Sequence, residues 1–519
     1  MLDVLYILFA AAGALALGRW WRLPAVPLLI VAGVALRAAG LIPDEDLLRD
    51  AMLLGLTFLV FVAGTELTPE RLGNQKRAAL MVGLVQFFAI ALIGVAAALG
   101  VGFGWQTALY VGLALTASST LVVVNLLRQR QQFFEPFGRL VLGVLLLQDV
   151  LVIVAIGGLS GVDHGAAGVG LGLLTTAAMI GLAWVCLRWI TPWLLLKLKL
   201  DEESLLLVVM AILFAFAGLS QAMGLPMVVG AFLAGVSMSS FPVNGVVRGQ
   251  ITSLADFFLA VFFVTLGAGL VWLAPAELVL AVLLTALVLF VTPPLVLWIG
   301  RRVGLSARVS IESGLLLAQC SEFSLVVALL GVQQGHVAEN VFAMVAVVTV
   351  VTMFLTPFVA TDANTWRLMR WRLPHGWRGG ELRGARPEGH VLMLGCGTRG
   401  RRLVDELLAR GQRVVVVEDD PGVVAQLRRK GVEAVRGDGA DYIILRDVGA
   451  RAAKVIVSTM RRTQDNERML RFVWEANVQV IARTFGPDAA ERLAVLGAIP
   501  IIESEAAAEA MLAWFDENM

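Results

Sequence analysis

LTASSTLVVV, Leu115–Val124, sets four hydroxyl side chains in the middle of an apolar run. Thr116, Ser118, Ser119 and Thr120 interrupt a stretch, 105–127, that is otherwise long and apolar enough to cross a bilayer, which takes roughly 20 residues for ~30 Å of hydrocarbon. A second interrupted run is LLLAQCSEFSLVV, Leu315–Val327, with Gln319, Ser321, Glu322 and Ser324 clustered at its centre. One such cluster alone has an ordinary explanation, hydroxyls bonding back to their own helix. Two clusters, seven spans apart and one of them carrying a glutamate, point to paired broken helices in the two halves of an inverted-repeat transporter. The site then lies where the half-helices meet.

The rest of the chain agrees with a membrane class. Its 519 residues are 58% hydrophobic and 16% charged, and the formal net charge is +1. The mean hydropathy of +0.82 excludes an ordinary soluble protein of this size. Thirteen candidate spans can be marked, at 2–18, 24–40, 47–66, 77–100, 105–127, 137–159, 166–196, 203–222, 226–240, 246–271, 276–300, 307–333 and 338–361. No signal-peptide cleavage pattern is seen, so the first span reads as a retained helix. Cys186, Cys320 and Cys396 share neither metal-ligand nor disulfide spacing.

Loop charge gives the orientation. Loops after odd-numbered spans hold Arg19, Arg22, Arg71, Lys76, Arg77, Arg128, Arg130, Arg139, Lys197, Lys199, Arg248, Arg301, Arg302 and Arg308; loops after even-numbered spans hold little more than Arg37 and Arg49. By the positive-inside rule the N-terminus is expected outside and the C-terminal domain in the cytoplasm.

Acids are scarce within the spans, and among them are Glu66, Asp149, Asp256, Glu312 and Glu322. Asp256, Glu312 and Glu66 lie nearer span ends, where interfacial solvation or pairing explains them, Glu66 with a neighbouring arginine. Asp149 is different. In LLLQDVLVI, Leu145–Ile153, it sits mid-span with only Gln148 as a polar neighbour, and no lysine occurs within any span. A charge at the bilayer centre costs at least ~2.5–3.5 kcal/mol, so such groups are rare and usually functional. Burial favours the protonated form, and an arriving cation favours the charged one. A carboxylate that holds either H+ or a monovalent cation, never both, is a coupling device. The Gln148 carbonyl is a hard neutral ligand suited to complete the shell.

These stretches resemble the monovalent cation:proton antiporter-2 family, and within it the Kef-type potassium efflux systems. The matching segments are FVAGTELTPERL (61–72), LALTASSTLVV (113–123), GRLVLGVLLLQDV (138–150), MVVGAFLAGVSMSS (227–240) and GLLLAQCSEFSLVV (314–327). The resemblance implies a fold of about 13 transmembrane helices with inverted repeats and two broken crossing helices. It implies K+ held by Asp149 and Gln148 near the crossing, with Thr116, Ser118, Ser119, Ser321 and Glu322 around it. It also implies a homodimer in a bacterial inner membrane, bathed in lipid, with an ancillary regulatory subunit as a further partner; no nucleic acid is expected. Many relatives carry a lysine in the span before the SEF motif; here LFVTPPLVLW, Leu289–Trp298, puts Thr292 in its place. With one titrating carboxylate and no lysine, exchange is expected to be electroneutral.

Composition shifts near residue 362. Residues 1–362 read as the membrane domain, 363–388 as a basic linker, and 389–519 as a soluble α/β domain. HVLMLGCGTRGRRLVDELLARGQRVVVVEDD, His390–Asp420, gives a strand, Gly395-x-Gly397-x-x-Gly400, an amphipathic helix, a second strand and an acid, Glu418. In that context the glycines allow a tight turn and bring phosphate to a helix N-terminus, while Glu418 suits ribose hydroxyls. An adenine nucleotide, AMP or NAD(H), fits better than NADP. Thr398, Arg399 and Asp419 complete the expected set at this turn. Later strands are expected in EAVRGD, KVIVST and VQVIART. This half resembles the TrkA-N-like (RCK) domain, which implies further nucleotide contacts at Gly437, Asp438, Ser458 and Arg483. Only residues 401–519 follow the fingerprint, too few for a substrate domain, so a regulatory role is expected rather than an enzyme. Kef-type systems are gated by glutathione through this region, and no glutathione site can be placed in this sequence. A Na+/H+ antiporter on the same scaffold and a ligand-gated K+ channel remain as alternatives. The channel lacks a TVGYG-type filter in this sequence.

Overall fold

The structure, a computed structural model, describes residues 2–21, 23–41, 45–67, 76–130, 132–133, 136–194, 201–239, 243–372 and 387–518. Arg22, Arg71, Lys197, Lys199, Ser240 and most of the expected linker, 373–386, lie outside the described residues. The chain forms two compact units, residues 1–299 with 311–362, and residues 300–310 with 363–519.

The first unit is helical. Its elements are α1 Leu2–Trp21, α2 Ala25–Ala38, α3 Glu45–Thr65, α4 Lys76–Val101, α5 Trp105–Ala114, α6 Thr120–Gln129, α7 Pro136–Leu159, α8 Gly165–Val185, α9 Glu202–Ala222, α10 Met227–Ser237, α11 Val243–Gly269, α12 Pro275–Arg302, α13 Ala307–Leu317, α14 Glu322–Gln333 and α15 Glu339–Val359. Helix thus lies on every one of the expected spans. Among the described residues seven helices are long and apolar enough to cross a membrane, or eight with the α13/α14 pair, which bends by 42° at its break. α5 and α6 are broken from each other at 115–119, as LTASSTLVVV foretold. Short α10 is apolar all round and almost wholly buried, so it needs no lipid-facing length.

Two glycine seams bring helices together. A methyl group at Gly64 on α3 would fall 2.1 Å from the Phe232 carbonyl oxygen of α10, and one at Gly235 on α10 would fall 2.0 Å from the Phe61 oxygen of α3. Gly33 and Gly267 join α2 to α11 in the same reciprocal way. In lipid, where apolar surface alone drives no association, such backbone-on-backbone packing supplies the contact.

The second unit holds a six-stranded parallel sheet in the order β3-β2-β1-β4-β5-β6, with β1 Val391–Leu394, β2 Val414–Glu418, β3 Glu433–Arg436, β4 Val455–Ser458, β5 Gln479–Thr484 and β6 Ala498–Ile502. Alternate residues serve opposite faces: Leu392, Leu394, Val415 and Val417 enter one buried cluster, and Val391, Met393, Val414 and Val416 the other. Order reverses between β1 and β4, which opens a crevice at the carboxyl ends of those strands. β6 was not expected from its sequence. AIPII is short, half exposed and carries Pro500, which an edge strand tolerates because one side needs no ladder donor. Residues 362–372 also depart from the expected linker: they form α16, Asp362–Arg372, with Trp366 and Met369 buried one turn apart. The remaining helices are α17 Thr398–Ala409, α18 Pro421–Arg429, α19 Tyr442–Asp447, α20 Thr463–Val473, α21 Pro487–Val495 and α22 Glu503–Asn518.

Candidate ion site and nucleotide turn

The two helix breaks meet. Ser118 Oγ, in the α5/α6 break, donates to the Leu317 carbonyl at the end of α13 at 2.8 Å, and Ser119 Oγ donates to Glu322 Oε1 on the first turn of α14 at 2.9 Å. α7 runs beside this crossing. Gln148 Oε1 accepts from the Ser118 N–H at 3.2 Å, and Asp149 Oδ2 accepts from Thr120 Oγ1 at 3.3 Å. Thr116, Ser118, Ser119, Gln148, Asp149, Ser321 and Glu322 are all buried.

The chemistry of the crossing follows from where helices stop. α6 and α14 begin there, so their unpaired N–H groups and positive dipole ends face the site, while the carbonyls ending α5 and α13 supply oxygens. Asp149 lies against the first residue of α6, the favourable end for a carboxylate. It is 2% exposed, and its Oδ1 has no hydrogen-bond partner among the described residues; the same holds for Gln148 Nε2. No lysine or arginine pairs with Asp149 or Glu322 among the described residues. Thr292 is buried on α12 beside Pro293. A carboxylate oxygen in this state wants a proton or a cation.

The candidate residues do not all play one part. Thr116 Oγ1 donates back to Leu113 O at 2.7 Å, the ordinary role of a helix hydroxyl. Ser321 caps α14: its Oγ accepts from the Phe323 N–H at 3.0 Å, and Ser324 Oγ accepts from the Ser321 N–H at 3.1 Å. The Gln148 carbonyl is already engaged, and only its second lone pair is left for an ion. Thr120 belongs with the site residues. Its place beside Ser119 was visible in sequence, but its partner 29 positions away was not.

In the second unit the glycine-rich turn lies between β1 and α17. Gly395 has φ +82, and a methyl there would meet Thr459 Oγ1 at 2.7 Å. A methyl at Gly400 would press on Met393 Cε at 3.0 Å, which explains the close helix–strand packing, whereas Gly397 faces open space at the α17 N-terminus. Nothing is described for the side chains of Thr398 and Arg399. Glu418 ends β2 and curls back: Oε2 accepts from the Cys396 N–H at 2.6 Å, and Oε1 from the Asp419 and Asp420 N–H groups at 2.8 and 3.0 Å. Gly437 N donates to Glu418 O at 3.1 Å, so β2 and the VRGD turn are joined. Ser458 Oγ bonds Asn466 Oδ1.

Asp438 and Arg483 are committed elsewhere. Arg483 Nε lies 2.9 Å from Glu503 Oε2, on α22. Asp438 Oδ2 accepts from Arg308 Nη1 at 3.0 Å, and Arg308 Nη2 lies 2.8 Å from Asp465 Oδ1. Arg308, read in sequence as an exposed loop charge, is only 5% exposed in this unit. Burial works against ionisation of both acids. At Asp438 the Arg308 guanidinium outweighs it and holds the pKa below the usual carboxylate value; at Asp465 burial wins and the pKa is raised. Asp419 is pushed up to about 7 by burial and by the neighbouring Asp438. Nothing in the sequence linked Arg308 to acids 130 and more positions away.

Two helices broken at one crossing, a buried carboxylate with a free oxygen beside them, and a doubly wound nucleotide-type domain define an ion-exchanging membrane protein with an appended regulatory domain. The transmembrane sodium/hydrogen exchanger family model matches residues 5–361, and the chain belongs to that family. A TrkA-N domain model matches residues 391–504. The pairing is that of Kef-type members of the cation:proton antiporter-2 group, and the chain is a multi-pass cation/proton exchanger with a TrkA-N domain. Among solved structures, the sodium proton antiporter MjNhaP1 from Methanocaldococcus jannaschii matches with TM-score 0.56 at 15% identity, over 72% of this chain and 99% of that one. The TrkA-N domain of the inner membrane protein ybaL from Escherichia coli is 26% identical over 25% of this chain and 98% of its own, with TM-score 0.24. The GsuK channel bound to NAD is 19% identical over 44% and 41%, with TM-score 0.23.

Proposed function

We propose that the protein exchanges K+ for H+ in a bacterial inner membrane, with proton and cation alternating on Asp149. The observation that carries this reading is the buried Asp149 Oδ1, without a hydrogen-bond partner among the described residues, at the crossing of two broken helices. When protonated, Asp149 is neutral and tolerates burial. When a cation enters, the carboxylate ionises and the proton leaves, with Gln148, Ser118 and the freed carbonyls of α5 and α13 supplying neutral oxygens. One carboxylate and one charge each way make the exchange electroneutral. Glu322, held by Ser119, ties the α14 dipole to the α6 break and keeps the crossing assembled.

The soluble domain is assigned to an adenine nucleotide, AMP or NAD(H), laid over Gly397 at the α17 N-terminus with its ribose toward Glu418. Nucleotide acts by binding one conformational state of the chain more tightly than another. The N-terminus is taken to lie outside and the TrkA-N domain in the cytoplasm, in a homodimer.

The deciding experiment is cation-driven pH change in proteoliposomes, K+ compared with Na+, for wild type and Asp149→Asn. K+-driven exchange that vanishes in the Asn variant supports the reading. Preference for Na+ replaces the ion but keeps the mechanism. Normal exchange by the Asn variant removes Asp149 from the mechanism.

A further inference from the structure

The helices of the crossing meet a second time, at their far ends. From the crossing, α5 leads back from Ala114 to Trp105, α14 leads from Glu322 to Gln333, and α7 leads from Asp149 to Leu159. Each leg is roughly 13–17 Å long at ~1.5 Å per residue. His336, in the connection after α14, joins them. Its Nε2 lies 2.7 Å from Asp163 Oδ1, in the connection after α7. Its Nδ1 lies 3.3 Å from the Tyr110 hydroxyl on α5, and its backbone carbonyl accepts from Thr107 Oγ1, also on α5, at 2.7 Å. Tyr110 donates to Gln334 Oε1, the first residue past α14, and Gln106 Nε2 donates to Asp163 Oδ1 at 3.3 Å. The Tyr110 and His336 side chains are buried, whereas Asp163 is open to water. These connections follow even-numbered spans, on the face poor in lysine and arginine.

Counting donors fixes the protonation of the ring. Tyr110 has one O–H, and it is spent on a carbonyl oxygen that can only accept. Toward His336 the Tyr110 oxygen can then only accept, so Nδ1 must carry a proton. An ionised Asp163 can only accept as well, so Nε2 must carry another. With every bond of the cluster made, His336 is an imidazolium. When one proton leaves, Nε2–H stays with the carboxylate and Nδ1 becomes an acceptor. The Tyr110 O–H must turn to Nδ1, and Gln334 is released. A single proton thus decides whether the exit of α14 is tied to α5 through Tyr110. Asp163 and Tyr110 are the titratable groups that face the ring. His164 and Glu339, close in the chain, are exposed, and Glu277 at the start of α12 is bonded to Asn340 on α15. No lysine or arginine is bonded to the cluster among the described residues.

We propose that His336 is a positioning residue for the exchange reaction: the proton it holds keeps the two broken helices joined at their far ends, and so keeps the crossing in register around Asp149. This rests on Asp149 being the exchange site, and it adds a second proton, one that is held rather than transported. Histidine is the side chain whose charge changes between about pH 5 and 8, so the brace loosens as pH on that face rises across this range.

The test uses the full-length chain in proteoliposomes, with kcat of K+-driven proton exchange read at saturating cation in steps between about pH 5 and 8. Asp149 has a pH dependence of its own, so the quantity compared is the ratio of wild-type to variant kcat at each pH. For His336→Gln the ratio is expected to be about five at the acid end and to close to about one at the alkaline end. Tyr110→Phe keeps the ring beside Gly331 but lacks the O–H, and its ratio should follow the same course with His336 still present. Adding His336→Gln to Tyr110→Phe should then change the profile no further. A ratio that is the same at every pH, whatever its size, makes His336 mere packing and overturns the proposal. Should His336→Gln fail to reconstitute, a wild-type profile in Tyr110→Phe overturns it equally. Asp149→Asn separates the two ideas: activity in that variant defeats the exchange site itself, while an inactive Asn variant beside a constant His336→Gln ratio defeats only the brace.

Discussion

Each unit of the chain draws a pair of acids largely out of water, and the two pairs are treated in opposite ways. In the soluble unit Asp438 and Asp465 flank Arg308, whose two terminal nitrogens lie 3.0 and 2.8 Å from them. In the helical unit Asp149 is met by the Thr120 hydroxyl and Glu322 by the Ser119 hydroxyl, with no lysine or arginine paired to either among the described residues. Taking a carboxylate out of water costs several kcal/mol, and a fixed guanidinium offsets that cost permanently. A hydroxyl offsets it only in part. The soluble pair is thus finished and structural, whereas the membrane pair is left one positive charge short, and a mobile ion can supply it. Charge neutralisation by a built-in residue or by a visitor is the difference between a strut and a binding site.

The comparison breaks most sharply at its two centres. Asp149→Asn should lower cation-driven proton exchange about a thousandfold or more while the Tm in detergent stays level or rises, because a neutral amide removes the acid without leaving a charge stranded; a fall in Tm with exchange preserved would make Asp149 the strut. Arg308→Ala should do the reverse. It strands two buried carboxylates and costs about 3–5 kcal/mol of stability, seen as a lower Tm of the purified full chain, and the loss should lessen at acid pH where the acids take up protons. Glu322→Gln comes next. Glutamine still accepts from Ser119, so only the charge is lost, and about a tenfold fall in exchange rate is expected; an unchanged rate would leave Glu322 as packing.

The smallest effect concerns Asp419, another acid drawn away from water, with a pKa pushed up to about 7. Its folded-state pKa exceeds the unfolded value, so between about pH 4 and 7 the folded chain holds a proton that the unfolded chain has released. Stability therefore falls as pH rises across that window, and the full penalty is present above it. Asp419→Asn escapes the penalty. Its Tm should exceed that of wild type by a few degrees at pH 8 and converge with it toward pH 4; a constant difference at all pH values would sever the link to titration.

What was legible in the sequence is what local chemistry dictates. Apolar length fixes helices, a hydroxyl cluster within one marks a break, and Gly395-x-Gly397-x-x-Gly400 after a β-branched run marks a phosphate-type turn. Asp149 stood out because nothing near it in sequence could stabilise its charge. Partnerships across the chain were not legible. Ser119 and Glu322 are 203 positions apart, and Arg308 and Asp438 are 130 apart. Charge counting placed Arg308 in a basic loop, since a single arginine reads alike whether solvated or buried between acids. Ser321 looked like an ion ligand because capping hydroxyls and ligating hydroxyls share one composition. β6 escaped notice because Pro500 interrupts its apolar run, and α16 because a basic, Gly-rich neighbourhood masked eleven helix-compatible residues.

The seam between α3 and α10 bears on how such a molecule could work. With a carbonyl 2.1 Å from where the smallest side chain would begin, at Gly64, the two helices have no clearance in which to slip. They behave as one girder. Glu66 follows α3 directly and so rides on that girder, while Thr120 starts α6 at a helix break. The two residues are therefore mounted on different parts, and any rocking between α3 and α6 changes the distance between them. Adding one carbon at Gly64 would pry the girder apart.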